Sequence, residues 1–258
     1  MELNKIYQKD CIVGLKELQD NSIDLVLTDP PYNVDLNYDE YKDVRTFEEY
    51  VKWCSDWFKE LKRVCKGIIL ITPGTNNENM WYKIEKPRGV IIWNKPNSCS
   101  PSKLLGINVY EPIFLYVCSD VMKFKCGIDL ITQNISMQKE IGNHPCPKPL
   151  KLFRTLINNF SNEGDIVLDC FMGSGTTAVA CKQLNRKYVG FEISPQYIEI
   201  SNKRLSQNNL SDFWSNDTHN KDLTEFSTEN SQIEPNGSTS LNPNIKLNSQ
   251  VLLQARQS

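Results

Sequence analysis

The segment LVLTDPPYNV, residues 25–34, carries residue types that together can hold a planar amino group. It opens like a β-strand and then runs into an acid, two prolines and a tyrosine. Proline lacks a backbone donor, so a central strand has to end at this point. The carboxylate of Asp29 and the carbonyl of Pro30 can accept hydrogens from an amino group on a base, and the ring of Tyr32 can stack on that base. Pro30 and Pro31 fix the backbone and preorganise the acceptors.

A second segment, residues 165–194, predicts a nucleoside-binding unit. A strand leads into a GSG turn, a helix begins at Thr176 or Thr177, and a second strand ends at Glu192. Glycines let a ligand approach the backbone, a helix start favours an anionic group, and an acid after the second strand can grip a ribose diol. The third glycine of a dinucleotide motif and the lysine of a phosphate-binding loop are missing. S-adenosylmethionine therefore fits better than a dinucleotide or a nucleoside triphosphate.

The elements that carry these segments alternate between strand-like and helix-like patterns over the first ~205 residues, which predicts an α/β fold with a largely parallel sheet. Both loops leave the carboxyl ends of strands, so we expect them to face one cleft. Residues 46–65 have apolar side chains at helical spacing. Trp53 and Trp57 in this helix are interpreted as core residues and not as stacking groups for a base.

Composition excludes several classes of protein. The chain has 258 residues, of which 40% are apolar, and 29 basic against 31 acidic side chains. No stretch approaches the roughly 20 apolar residues of a membrane span, and the N-terminus lacks a signal-peptide pattern, so we expect a cytoplasmic protein. Nine scattered cysteines without a CxxC pair, and two histidines, fit neither a disulfide framework nor a zinc site. No metal ligand is predicted.

The texture changes after about Leu210, where Asn, Ser, Gln and Thr dominate. We therefore predict a folded domain at residues 1–205 and a low-complexity, largely disordered tail at 206–258. Two long segments inside the domain, residues 94–108 and 119–143, lack clear periodicity, and long irregular stretches are often functional.

The motifs TDPPYN and FMGSGTT, in this order, resemble those of the permuted β class of DNA amino-methyltransferases, in which the catalytic motif precedes the cofactor motif. The segments IYQKDCIVGLKEL, NHPCPKPLKLFRTLI and FEISPQYIEISNKRL are also similar to the family, so the resemblance covers roughly residues 1–205. It implies a three-layer Rossmann-like methyltransferase fold, with a mostly parallel sheet and an antiparallel strand near one edge. It also implies S-adenosylmethionine as cofactor, and residues 119–143 as a small target-recognition insertion.

The resemblance also implies roles for individual residues. The catalytic loop is Asp29, Pro30, Pro31 and Tyr32. The cofactor-binding candidates are Asp10, Cys11, Asp29, His144, Lys148, Asp169, Phe171, Gly173, Ser174, Gly175, Thr176, Thr177 and Glu192. The candidates for DNA contacts are Asn33, Lys95, Lys103, Lys123, Lys125 and Lys139. His144 is interpreted as a structural hydrogen-bonding residue in preference to a general base.

The function expected from this pattern is methylation of adenine N6 in double-stranded DNA, because an Asp at the first motif position is commoner in adenine enzymes. Methylation of cytosine N4 is the alternative. Two other functions are less consistent with the sequence: an inactive DNA-binding homologue, since both motifs are intact, and methylation of a protein glutamine, since there the cofactor loop comes first. A cognate restriction endonuclease is a possible partner, and the state expected is a monomer or a homodimer.

Overall fold

The computed structural model describes residues 1–34, 37–38, 41–42, 44–99, 101–102, 106–119, 129–135 and 147–207. Five of the predicted site residues lie outside these ranges: Lys103, Lys123, Lys125, Lys139 and His144. The predicted tail, apart from its first two residues, and most of the predicted recognition segment lie outside them as well. The domain boundaries proposed from the sequence therefore stay predictions.

Helices and strands alternate over much of the described chain, as the sequence predicts, but strands follow one another without a helix within residues 23–42 and 89–132. The helices are α1 (Cys11–Lys16), α2 (Phe47–Val64), α3 (Glu78–Ile84), α4 (Leu150–Phe160), α5 (Thr176–Gln183) and α6 (Pro195–Ser206). The strands are β1 (Lys5–Gln8), β2 (Ile23–Thr28), β3 (Asn37–Tyr38), β4 (Tyr41–Lys42), β5 (Cys65–Ile71), β6 (Gly89–Asn94), β7 (Pro101–Ser102), β8 (Gly106–Ile107), β9 (Tyr110–Val117), β10 (Leu130–Thr132), β11 (Ile166–Asp169) and β12 (Lys187–Glu192).

In the described part of the chain, eight strands form one sheet in the order β1-β12-β11-β2-β5-β9-β6-β10. All pairs are parallel except those of β9, which runs antiparallel to both β5 and β6. This confirms the predicted sheet with an antiparallel strand near one edge. Pro112 lies close to the entry of β9, where the strand pairs with β6 but has not yet reached its register with β5. A missing backbone donor is tolerated there.

Two hydrophobic cores cover the two faces of the sheet. Val26 and Ile69 pack with residues of α1, α2 and α3, whereas the neighbouring Leu25 and Ile68 pack with residues of α4 and α5. Because successive strand residues point to opposite faces, this is the three-layer arrangement that the sequence predicts. Among the described helices, none combines the length and the hydropathy needed to cross a bilayer.

Helix boundaries follow local signals. Thr46 caps α2 through a reciprocal capping box with Glu49, and Ser194 caps α6 ahead of Pro195 at its first position. The sequence analysis missed α3 and β10. The first has a polar, asparagine-rich start, and the second has only three residues inside a segment interpreted as irregular. The edge position of β10 depends on pairing with β6, which local sequence does not encode.

Candidate active site

The loop Asp29–Tyr32 leaves the carboxyl end of β2, and its acid is surrounded by donors. The Asp29 Oδ1 atom accepts hydrogen bonds from the Tyr32 hydroxyl at 2.6 Å and from the Thr72 hydroxyl. The Lys148 ammonium donates to Oδ2 at 2.7 Å. Three different segments thus fix the carboxylate, which is the preorganisation that an amino-group acceptor requires.

Tyr32 is held by its hydroxyl as well as by its ring. The hydroxyl lies 2.6 Å from a carboxylate oxygen of Glu111, and Lys148 Nζ donates to it at 3.0 Å. Gly74 lies against the ring, because an added Cβ there would come within 3.1 Å of ring atoms. Burial, together with the charges of Asp29 and Glu111, raises the pKa of Tyr32 well above its ordinary value. The hydroxyl therefore stays protonated and donates to one of the two carboxylates at a time.

The backbone of the same loop is anchored separately. The Tyr50 hydroxyl of α2 donates to the Pro31 carbonyl at 2.7 Å, and the Asn77 side chain donates to the Tyr32 carbonyl at 2.9 Å. The Pro30 carbonyl is thereby flanked by fixed neighbours.

Glu111, at the start of β9, is a site residue that the sequence analysis missed. It is 8% exposed and pairs with Lys95 at 3.3 Å and with Lys148 at 3.3 Å. Burial opposes its charged form, but the charges of Lys148 and Lys95 hold its pKa below the ordinary value. The one available signal was an acid at the entry of the otherwise apolar run YEPIFLYV.

The glycine loop follows β11 and bends through two left-handed residues, Gly173 with φ 52° and Gly175 with φ 80°. Glu192, at the end of β12, accepts backbone hydrogen bonds from Gly173 at 2.8 Å and from Ser194 at 2.9 Å. Burial raises the pKa of Glu192, although these N–H groups oppose the shift. The acid therefore shapes the glycine loop and faces the cavity beside it.

Asp169, the last residue of β11, connects the two loops through hydrogen bonds. It accepts hydrogen bonds from the hydroxyls of Thr28 at 2.8 Å and Thr177 at 2.5 Å, and from the backbone of Phe171 at 3.0 Å. Burial raises its pKa to about 6, against the effect of these donors. The sequence analysis assigned Asp169 to the cofactor. The structure gives its oxygens to the protein itself, because a buried carboxylate needs donors.

Aromatic side chains form one wall of the site. Phe171 packs against Trp53 and Trp57 with ring centroids 5.5 and 5.3 Å apart, and the Arg45 guanidinium lies 4.5 Å from the centre of the Trp53 ring. Trp57 is fully buried, in line with its interpretation as core. Trp53, in contrast, is half-buried and lines the cavity. Its role is mixed, because the side chain lies where the core meets the site.

One cavity contains most of the predicted residues. It is lined by Asp10, Cys11, Asp29, Pro30, Pro31, Tyr32, Lys148, Asp169, Phe171, Gly173, Ser174, Thr176, Thr177 and Glu192, together with apolar side chains such as Phe191 and Ile193. Gly175 packs beneath the loop against Ser201 instead, with an added Cβ only 2.8 Å from it. A carboxylate, a glycine-bearing loop and apolar walls are the features that an adenosine and its ribose need.

Other predicted residues have surroundings that differ from the expectation. Asn33 exchanges two hydrogen bonds with the backbone of Arg45 and therefore shapes the loop that follows the catalytic residues. Lys95, expected as a phosphate contact, is 8% exposed and paired with Glu111. Asp10 caps α1 by accepting from Ile12 and Val13, so one of its oxygens serves the helix. Lys148, assigned to the cofactor, contacts the catalytic acid.

Comparison with known proteins decides the family. The family model described as a DNA methylase of the N6/N4 type matches residues 23–126 and 128–203. This protein belongs to the N6/N4 DNA methylase family. The type II methyltransferase M.HpaI of Haemophilus parainfluenzae is 32% identical to the methylase over 76% of this chain and 72% of its own. The DNA adenine methyltransferase YhdJ of Escherichia coli K12 is 29% identical over 79% of this chain and 83% of its own.

Solved structures agree with the fold and the cofactor. The cytosine-N4-specific PvuII DNA methyltransferase matches 81% of the methylase and 88% of its own chain with a TM-score of 0.66 at 21% identity, a likeness of fold. The M1.HpyAVI complex with S-adenosylmethionine matches 78% of the methylase and 98% of its own chain, with a TM-score of 0.61 at 25% identity. S-adenosylmethionine is the cofactor of this methylase. Glu192, the glycine loop and Phe171, which the sequence predicts as cofactor-binding residues, line the cavity.

Proposed function

We propose that this methylase transfers a methyl group to N6 of an adenine that has left the stack of double-stranded DNA. The observation that carries the proposal is the position of Asp29, which lines the same cavity as Glu192 and the glycine loop. An acceptor for a target amino group and a site for the methyl donor therefore lie side by side. The name of the relative YhdJ, a DNA adenine methyltransferase, supports adenine as the base.

The residues of the catalytic loop orient the target nitrogen. S-adenosylmethionine, when bound, supplies an electrophilic methyl group. The Asp29 carboxylate accepts one hydrogen of the amino group and the Pro30 carbonyl accepts the other, so the nitrogen lone pair faces the donor. The new C–N bond would replace the S–CH3 bond of the donor, whose electrons stay on sulfur so that S-adenosylhomocysteine leaves as a neutral thioether, and the nitrogen gives up a proton in the direction of Asp29. Tyr32 keeps the base in plane by contact with its ring.

The proposal also names partners. Double-stranded DNA is the substrate, and residues 119–143, with Lys123, Lys125 and Lys139, are the proposed recognition segment. Relatives such as M.HpaI are named type II methyltransferases, which supports a role in restriction-modification beside a cognate endonuclease. These residues lie mostly outside the described ranges, so the proposal for them depends on the sequence.

Modified-base sequencing tests the function, because it reports the base and the site together. We expect N6-methyladenine at one short sequence in the DNA of a methylation-deficient host that expresses the protein, and none with the Asp29→Ala variant. N4-methylcytosine at a defined site would replace adenine by cytosine in the proposal. Unmodified DNA from cells that contain folded wild-type protein would contradict it.

A further inference from the structure

The catalytic carboxylate already has a cationic partner in the protein alone. Lys148 Nζ lies 2.7 Å from Asp29 Oδ2, and the two hydroxyls of Tyr32 and Thr72 occupy the other oxygen. A target amino group that donates to Asp29 therefore has to approach the oxygen that Lys148 holds. Both groups are N–H donors of similar reach, so the ammonium competes with the amino group for this oxygen.

A second carboxylate lies within reach of the same ammonium. Glu111 Oε1 is 3.3 Å from Lys148 Nζ, and the side chains of Lys148 and Glu111 are 9% and 10% exposed. Leaving a buried charge without a partner is strongly destabilising. Among the described residues, Glu111 is the second carboxylate that can receive Lys148 when it leaves Asp29. A small rotation of one side chain exchanges the two partners.

We propose that Lys148 holds the place of the target amino group on Asp29 before the base enters and moves to Glu111 when the base arrives. Lys148 and Glu111 are then positioning residues, which set how readily Asp29 receives the base. The inference rests on the proposed function, since it concerns the same acceptor. It assigns Glu111 a part in base entry and Lys148 a part other than cofactor binding.

Removing the charge of Glu111 is expected to keep Lys148 paired with Asp29. In Glu111→Gln, Asp29 is the remaining carboxylate for Lys148 among the described contacts, so the ammonium competes more strongly with the base. We expect the equilibrium for base entry to fall roughly tenfold, the value of one charged hydrogen bond. In Lys148→Met the competitor is gone and Glu111 keeps Lys95 at 3.3 Å, so base entry rises above that of the wild type.

The test is a double-mutant cycle on a duplex that contains the site read from modified host DNA. A 2-aminopurine beside the target base reports its departure from the stack, in the presence of S-adenosylhomocysteine, and single-turnover methylation reports the rate. Anisotropy gives the affinity for DNA and thermal denaturation checks the fold. The matched control combines Glu111→Gln with Lys95→Met. Lys95 is also a cationic partner of Glu111, but its ion pair among the described residues is with Glu111 and not with Asp29.

The expected result is that Lys148→Met restores base entry in the Glu111→Gln background, whereas Lys95→Met leaves it depressed. If Lys148→Met lowers base entry as Glu111→Gln does, or if it gives no rescue, the proposal is overturned. Should Glu111→Gln fail to fold, Lys148→Met alone decides, since a higher signal supports the proposal and a lower or equal one overturns it. A wild-type protein that methylates no DNA would fail the proposed function instead.

Discussion

The catalytic loop and the glycine loop lie side by side at the carboxyl ends of β2 and β11, but they are held in different ways. Charged and polar side chains from distant segments, namely Thr72, Glu111 and Lys148, surround Asp29. The glycine loop is held largely by its own neighbourhood in sequence: Asp169, Thr177 and Glu192 bind its backbone or its helix.

The surroundings of Asp29 can change hydrogen-bond partners, whereas the glycine loop cannot. Lys148 has two carboxylates within 3.3 Å and can exchange them. The glycine loop depends on left-handed backbone angles and on contacts beneath Gly175, which leave one arrangement. We expect substitutions around Asp29 to change turnover and substitutions in the glycine loop to change cofactor affinity.

The largest effect is expected from Asp29→Ala, which removes the acceptor for the amino group. Turnover should fall by about a hundredfold to a thousandfold, because one preorganised electrostatic contact is worth that much at a reacting centre. Cofactor affinity, measured by calorimetry with S-adenosylhomocysteine, should change little. Asp56→Ala, at an exposed carboxylate of α2 paired with Lys52, is the control. Near-normal turnover in Asp29→Ala would break the comparison.

Gly175→Ala is expected to weaken cofactor binding by roughly tenfold or more, since left-handed strain adds to a Cβ clash with Ser201. Gly164→Ala is a matched control, because Gly164 has a similar φ of 83° with nothing within 4 Å of an added Cβ. Backbone strain should lower the melting temperature of both variants. Calorimetry of cofactor binding should show a loss of affinity in Gly175→Ala alone. Equal cofactor affinities in the two variants would contradict a role of the glycine loop in cofactor binding.

Tyr32→Phe sharpens the comparison within the catalytic loop. The sequence predicts that a phenyl ring is tolerated far better than alanine, because stacking needs the ring. The structure adds a cost for the hydroxyl, whose loss leaves Glu111 and Lys148 short of a partner. We expect a rate loss of about tenfold for Phe and a larger loss for Ala. Tyr7→Phe, whose hydroxyl bonds the backbone of Glu2, should keep the wild-type rate.

The smallest effect concerns Asp169, whose pKa of about 6 lies above the ordinary 3.8. The folded state then binds more protons than the unfolded state between these values, so the free energy of unfolding falls as pH rises from about 4 to 6. In the wild type this decline amounts to about 2 kcal/mol at most. The Asp169→Asn variant should lack it. Chemical denaturation at several pH values compares the two slopes. Parallel curves would show that Asp169 has no raised pKa.

The sequence predicts one of these regions better than the other. The glycine loop, its helix and Glu192 lie within thirty or so residues, and glycine, strand and cap signals fix their geometry locally. The network around Asp29 depends on which strands become neighbours. Glu111 reaches Tyr32 because β9 enters the sheet beside β5, and Lys148 reaches Asp29 from the segment before α4. No periodicity in the sequence encodes either contact.

The prediction of the short elements failed for the same reason, because local sequence does not encode contacts between distant segments. The strand β10 is three residues long and has meaning only beside β6, and α3 begins with polar residues that local propensity does not distinguish from a loop. The alternation of long strands and helices was readable, because burial imposes its period on the sequence.

The hydroxyl of Thr28 donates to Asp169 across two adjacent strands, although the residues are 141 positions apart. The distance between the strand ends from which the two loops leave is therefore set by the spacing of neighbouring parallel strands, about 4.8 Å, and not by the connection between them. A chain in which the half with β11 came first and the half with β2 second would form the same contact. The chemistry of the site thus leaves the order of the two motifs along the chain free.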